Sequence, residues 1–221
     1  MIILHHCMSA RSFRPLWALE ELRLSYELRM LPFPPRALKR EYLAVNPLGT
    51  VPYLTDGAVA MSESSAICEY LAARYGDGAL SVAVGDDAFG AYLNWLDFGE
   101  ATLTFPQTLV LRYGRFEPEE RRSAQVASDY SRWFLARLRT IAPVVETRPY
   151  LCGERFTAAD ISVGYALMLA DYLGLAEQFP EPVIAYWQRL QRRDGYIDAL
   201  QAQSHAAIEQ GVSLTPAPLT E

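Results

Sequence analysis

The chain has 221 residues, 51% of them hydrophobic and 21% charged, with a formal net charge of −6. That composition supports packed cores rather than disorder, and the acidic balance offers no basic footprint for nucleic acid or an anionic membrane surface. The length suits two domains of roughly 80 and 130 residues.

Ile2–Cys7 is a short apolar run and reads as a buried strand. Leu16, Trp17, Leu19, Leu22 and Leu24 then recur at helical spacing, with Glu20 and Glu21 on the other side. Tyr26–Leu31 alternates as a second strand and stops at the breakers Pro32-Phe33-Pro34-Pro35. A second helical piece covers Ala37–Val45 and ends before Asn46-Pro47. Val51–Leu54 and Val59–Met61 flank Asp56-Gly57, a strong hairpin signal, and a helix follows over Ser62–Arg74.

The order β-α-β-α-β-β-α is therefore complete by residue 76. Strands joined through a helix run parallel, and the hairpin adds antiparallel strands. A linker over residues 77–87 leads to helical patterns at Phe89–Arg112, Pro118–Ile141, Ala158–Leu173 and Pro182–Asp194. Pro106 should break the first of these near Phe105. Thr157-Ala-Ala-Asp160 has the form of a capping box, with Phe156 placed to staple onto Ile161. The expected organisation is an α/β domain over 1–76, the linker, an all-helical domain over 88–212 and a tail over 213–221.

Cys7, Cys68 and Cys152 are far apart and form no CxxC pair, which gives neither a disulfide framework nor a zinc signature and fits a reducing, cytoplasmic setting. No metal is expected. His5 and His6 are adjacent on a strand and point to opposite faces, so they cannot share a metal ion. The first residues lack the basic n-region of a signal peptide, and no apolar stretch approaches the roughly 20 residues of a membrane-spanning helix.

Asn46–Ser65 is the stretch richest in chemistry. Pro52 at a strand entry removes one ladder donor and leaves backbone groups of Val51 open. If the Val51–Pro52 bond is cis, those groups face a groove. Glu63 and Ser64 then stand where a helix N-terminus offers free amides and the positive end of its dipole. A strand edge plus an anion site describes a receptor for a small acidic peptide.

With these motifs in order, Asn46-Pro-Leu-Gly-Thr-Val-Pro52, Ser62-Glu-Ser-Ser-Ala-Ile67 and Phe156–Ile161, the chain resembles the cytosolic glutathione transferases over Ile2 to about Leu200. Arg11-Ser-Phe-Arg-Pro-Leu-Trp-Ala-Leu-Glu-Glu-Leu22 looks most like bacterial members of the serine-using kind. The resemblance implies a thioredoxin-like N-terminal domain that binds glutathione as co-substrate, followed by a helical bundle that supplies a hydrophobic pocket. It further implies conjugation of a hydrophobic electrophile or reduction of an organic hydroperoxide, and a homodimer. The implied glutathione contacts are Lys39, Thr50, Val51, Pro52, Glu63 and Ser64, with Arg36 or Arg40 as alternatives to Lys39 for the glycyl carboxylate. Val51 would pair with the cysteinyl backbone, Glu63 with the ammonium and Ser64 with the carboxylate of the γ-glutamyl end.

Such an enzyme must make a thiolate. A free thiol has a pKa near 8.5, and lowering it by about two units takes roughly 2.7 kcal/mol of differential stabilisation. In serine-using relatives the donor lies four residues before the arginine matching Arg14, which here is Ala10. A slip of one residue makes Ser9 the donor. Ser12 is the other candidate, but Pro15 belongs in a first helical turn and so draws Ser12 toward a capping role. Backbone amides around Ala10–Arg11 are a third possibility. Cys7 would instead support glutathione-dependent thiol–disulfide reduction, though a buried strand cysteine is ordinarily inert. A non-catalytic glutathione-binding protein is the remaining reading. Arg14 is left open between an acidic partner and solvent. Phe98, Leu103, Phe105, Tyr113 and Tyr165 are candidates for the electrophile pocket or for core packing.

Overall fold

The computed structural model describes residues 1–216; the end of the expected tail, residues 217–221, lies outside the described residues. Two compact units emerge. One contains Met1–Ala79 together with the described residues from Arg192 on, and the other contains Leu80–Gln191.

The first unit is built on a four-stranded mixed sheet in the order β2-β1-β3-β4. Its strands are β1 (Ile2–His6), β2 (Tyr26–Met30), β3 (Tyr53–Asp56) and β4 (Val59–Met61). β1 runs parallel to β2, with Leu4 opposite Leu28, and antiparallel to β3, with Leu4 opposite Leu54. The hairpin closes β3 on β4 across Asp56-Gly57. These pairings follow the expected order, and β3 begins at Tyr53 because Pro52 has no N–H to give the ladder.

Helix α1 (Phe13–Glu21) fills the space beside the sheet with Phe13, Leu16, Trp17 and Leu19, all fully buried. It packs against α3 (Ser64–Tyr75), which contributes Ile67, Cys68 and Leu71. The piece expected over Ala37–Val45 divides into a single turn, α2 (Pro35–Leu38), and a 3-10 turn over Arg40–Ala44. The division falls at Lys39, whose backbone (φ −145, ψ 72) is not helical.

The sequence pattern marks no separate helix after Asp194, yet α9 (Asp194–Glu209) forms there and packs on α1 and β2. Its start is anchored by Arg193, whose Nε and Nη2 each lie 2.7 Å from an oxygen of Glu21. Trp17 donates to the same carboxylate at 2.9 Å and meets the Tyr196 ring edge-on. Gly195 permits this approach, since a Cβ there would stand 2.6 Å from Glu21 Cγ. The helical block expected over 88–212 therefore ends at Gln191, and the last helix joins the sheet unit.

The second unit comprises α4 (Phe89–Asp97), α5 (Phe105–Leu111), α6 (Ala124–Thr147), α7 (Ala158–Tyr172) and α8 (Glu181–Gln191). The long pattern ending at Arg112 is interrupted by wider π-type turns over Phe98–Thr104. Helix α5 restarts at Phe105 with Pro106 in its first turn, where a missing N–H costs nothing. Helix α6 begins later than Pro118, at the Ser123 cap, whose Oγ accepts from the Val126 N–H at 3.3 Å.

Helix α7 is buried along most of its length, as its largely apolar sequence requires. Its capping box forms. Asp160 accepts from the Leu151 N–H, the Thr157 N–H and hydroxyl, and the Tyr186 hydroxyl, at 2.8–3.1 Å. Burial raises its carboxyl pKa, while these donors act in the opposite direction. Phe156 meets Tyr150 edge-on.

Candidate active site in the sheet unit

The mouth of β3 is held from behind by one carbonyl. Thr50 C=O accepts from the Tyr42 hydroxyl and from Asn46 Nδ2, each at 2.9 Å. Asn46 is buried, and its Oδ1 takes the Leu48 N–H at 3.1 Å, so one side chain shapes the whole Asn-Pro-Leu-Gly turn. Gly49 completes that turn at φ 62, with no room for a side chain: a Cβ would stand 2.7 Å from Arg36 Cβ. Just beyond the turn, the Val51–Pro52 peptide bond is cis. Among the described residues, no hydrogen-bond partner takes up the Val51 N–H or C=O. Val51 and Ala10 pack against the same small cluster, Cys7, Leu31 and Tyr42.

At the start of α3, Glu63 occupies the N-cap in extended conformation (φ −88, ψ 115), its exposed side chain making no capping bond. Ser64 is buried, and its Oγ accepts from Arg14 Nη1 at 3.1 Å. Arg14 is fully buried, so it is not the solvated residue that the sequence left as one possibility. A guanidinium tied to the first residue of α3 adds fixed positive charge to a helix end that already favours anions.

The loop after β1 sorts the candidate thiol activators. Ser9 is half-buried in a left-handed conformation (φ 50). Its N–H donates to Gln203 Oε1 at 2.9 Å, and its Oγ accepts from Gln203 Nε2 at 3.3 Å. Ser12 does stand at the N-cap of α1, but without a capping bond; it is fully buried, and its hydroxyl accepts from the Cys7 N–H at 3.4 Å. The Ala10 N–H is spent on the Cys7 carbonyl at 3.1 Å, which weakens the backbone-amide alternative. Cys7 is fully buried, and burial pushes its thiol up to about 12. A thiol held protonated in that way is a poor nucleophile. His5 and His6 do face opposite ways. His5 packs on the Tyr42 and Tyr53 rings, whereas His6 Nε2 lies 3.0 Å from Gln203 Oε1.

Lys39, Arg36 and Arg40 are exposed on the segment before the Asn46 turn. The five candidates for an electrophile pocket lie in the helical unit in different environments. Leu103 and Tyr165 are buried, Phe98 and Tyr113 half-buried, and Phe105 is 57% exposed. Phe98 meets Trp95 edge-on, and the Arg112 guanidinium lies over the Tyr113 ring. Among the described residues, no group of His, Cys, Asp or Glu could hold a metal ion, and no helix is long and apolar enough to cross a membrane.

Sequence reasoning passed over Tyr42, Asn46 Nδ2 and Gln203. Only Gln203 left a trace, as one polar residue in the stripe Tyr196, Ala199, Ala206, Ala207 of α9.

The sheet unit is thus a thioredoxin-like domain with a cis-proline strand mouth and an anion-ready helix start. Residues 4–79 match the family model described as the glutathione S-transferase N-terminal domain. The chain is 32% identical to glutathione S-transferase hmp2 of Hypomyces subiculosus, over 73% of this chain and 79% of that one. It is 31% identical to glutathione S-transferase 4 of Zea mays, over 81% and 82%. Among solved structures, a glutathione transferase of Methylococcus capsulatus shares the fold with a TM-score of 0.82 at 24% identity, covering 93% of this chain and 100% of that one. The chain belongs to the glutathione S-transferase family.

Proposed function

We propose that this protein is a glutathione transferase of the serine-using kind, in which the thiolate of bound glutathione attacks a hydrophobic electrophile. Two relatives above 30% identity bear the name glutathione S-transferase, which supports the reaction class. The observation that carries the reading is the unpartnered Val51 backbone in the same unit as the Arg14–Ser64 pair. A peptide laid along Val51 gains two main-chain hydrogen bonds, as in strand addition. Its γ-glutamyl carboxylate meets the Ser64 end of α3, its ammonium meets Glu63, and Lys39 with its basic neighbours takes the glycyl carboxylate.

Ser9 is the donor that stabilises the thiolate. Ala10 cannot donate, Ser12 is buried, and the Ala10 amide is already engaged. One hydroxyl donor to a charged sulfur supplies about 1.5–3 kcal/mol, comparable to what a drop of one to two pKa units takes. The electrophile pocket draws on the helical unit, with Phe105 and Tyr113 its accessible candidates. A homodimer and a cytoplasmic location accompany this reading.

The test is turnover of a chlorinated nitroaromatic and of an organic hydroperoxide with glutathione, alongside direct measurement of glutathione binding. Binding without glutathione-dependent turnover of either would reject the enzyme and leave a binding protein. The thiol–disulfide reductase alternative has little support, because it needs an accessible, ionisable Cys7.

A further inference from the structure

Gln203 is the one polar side chain in the buried stripe of α9, and it is 2% exposed. A carboxamide brings two acceptor sites and two N–H donors, and burial demands that they be used. Three of the four meet the end of β1 and the loop after it. Oε1 accepts from the Ser9 N–H at 2.9 Å and lies 3.0 Å from His6 Nε2, while Nε2 lies 3.3 Å from Ser9 Oγ. A backbone N–H can only donate, so the atom facing it is the carboxamide oxygen. His6 Nε2 faces that same oxygen and must therefore carry the imidazole proton. The assignment fixes the rest of the knot. Ser9 Oγ accepts from Gln203 Nε2–H, and its own proton is directed away from the carboxamide. Ser9 also stands at φ 50, a conformation that a serine keeps only when its surroundings impose it.

We propose that Gln203, from the far end of the chain, is the positioning residue of the serine donor: it ties the Ser9 main chain to His6 and polarises the Ser9 hydroxyl for donation to the glutathione sulfur. This rests on the reading of Ser9 as that donor. Gln203 acts through Ser9 and touches no substrate itself. A hydroxyl that accepts a hydrogen bond is a better donor through its own proton, so both halves of the carboxamide serve the same end.

The discriminating measurement is the ultraviolet titration of the thiol of bound glutathione. The neighbouring groups do not obscure it. Burial holds His6 down to about 4 and Cys7 up to about 12. Arg11 and Arg14 are the neighbouring guanidinium groups, and on α9 His205 is paired with Glu209 on an exposed face. In Gln203→Met the bound thiol's pKa should rise by about one unit, which means about tenfold less thiolate below the pKa. KM for glutathione should stay within about threefold, because the tripeptide's ends are held elsewhere. The double variant Ser9→Ala/Gln203→Met should titrate like Ser9→Ala alone.

If Gln203→Met fails to fold, Gln203→Glu carries the comparison. It keeps an acceptor for both N–H groups but replaces the donor to Ser9 Oγ with a charged acceptor that competes for the Ser9 proton. The part of its effect that acts through Ser9 must therefore vanish in the Ser9→Ala background. A wild-type titration in the Gln203 variants, with a raised pKa in Ser9→Ala, overturns the proposal and leaves the serine reading intact. Effects of Ser9 and Gln203 substitutions that simply add also overturn it. An unchanged pKa in Ser9→Ala overturns the serine reading and this proposal together.

Discussion

Protonation of His6 gives a direct test of how the end of β1 is buried. Burial pushes this imidazole down to about 4 from its usual 6.5, against a smaller upward pull from the Gln203 hydrogen bond. In the unfolded chain the same group takes its proton near 6.5. Between those two values the unfolded state binds more protons, so stability rises with pH across that window. The contribution is complete above pH 6.5 and is lost as the pH falls toward 4. The whole interval corresponds to about 3 kcal/mol, and about 2 of that is gone by about pH 5. Many domains have only 5–15 kcal/mol in total. Urea denaturation of wild type and His6→Gln at about pH 7, 6 and 5 measures it, because glutamine retains an N–H donor but has no proton to gain. Wild type should lose about 2 kcal/mol more than the variant between the ends of that series. Asp160, raised by burial, contributes a slope of the opposite sign, but it is common to both proteins and cancels. Parallel stability curves would refute the reasoning and mean that His6 is solvated or charged in the folded protein.

Further outcomes follow from other parts of the structure. Gly49→Ala should destabilise the protein by about 2–4 kcal/mol in urea denaturation, combining a left-handed backbone with a Cβ 2.7 Å from Arg36 Cβ; glutathione affinity should fall with it, since the same turn presents Val51. Asp160→Asn should cost about 2–4 kcal/mol, because an amide N–H would face donors where the carboxylate accepts four bonds; a thermal midpoint within a degree or so of wild type would count against it. Cys7→Ser should leave glutathione-dependent turnover within about twofold, as befits a thiol held up to about 12, and a larger loss would restore Cys7 as a participant.

The sheet order was legible because its signals are local. Val51-Pro52, Asp56-Gly57 and the spacing of Leu16, Trp17 and Leu19 each specify conformation within a few residues. The strand entry at Val51-Pro52 and the helix start at Glu63-Ser64 were legible for the same reason, as both are short-range features. What stayed hidden depends on pairs far apart in sequence. Arg14 reads equally well as solvated until Ser64 is brought to it, and Gln203 has no meaning until α9 lies beside the Ser9 loop. The helical piece expected as far as Val45 broke at Lys39 for a reason that periodicity does not register, the backbone state of a single residue. Helix α9 itself was masked by a run of alanines and glutamines, whose apolar stripe is too small to stand out.

The return of α9 to the sheet unit has a consequence for how the protein is made. Domains generally fold in order of emergence during synthesis, yet α9, which completes this unit, leaves the ribosome after the helical unit. Until then the Trp17–Tyr196 contact, the Arg193–Glu21 pair and the Gln203 knot have no partner strand of chain to close them. The helical unit, Leu80–Gln191, is synthesised whole in between. The sheet segment is thus finished only after the helical unit, and Ser9 acquires its contacts with Gln203 only once α9 exists. A nascent chain halted before α9 would carry every motif of Asn46–Ser65 and still lack the Gln203 contacts of the Ser9 loop.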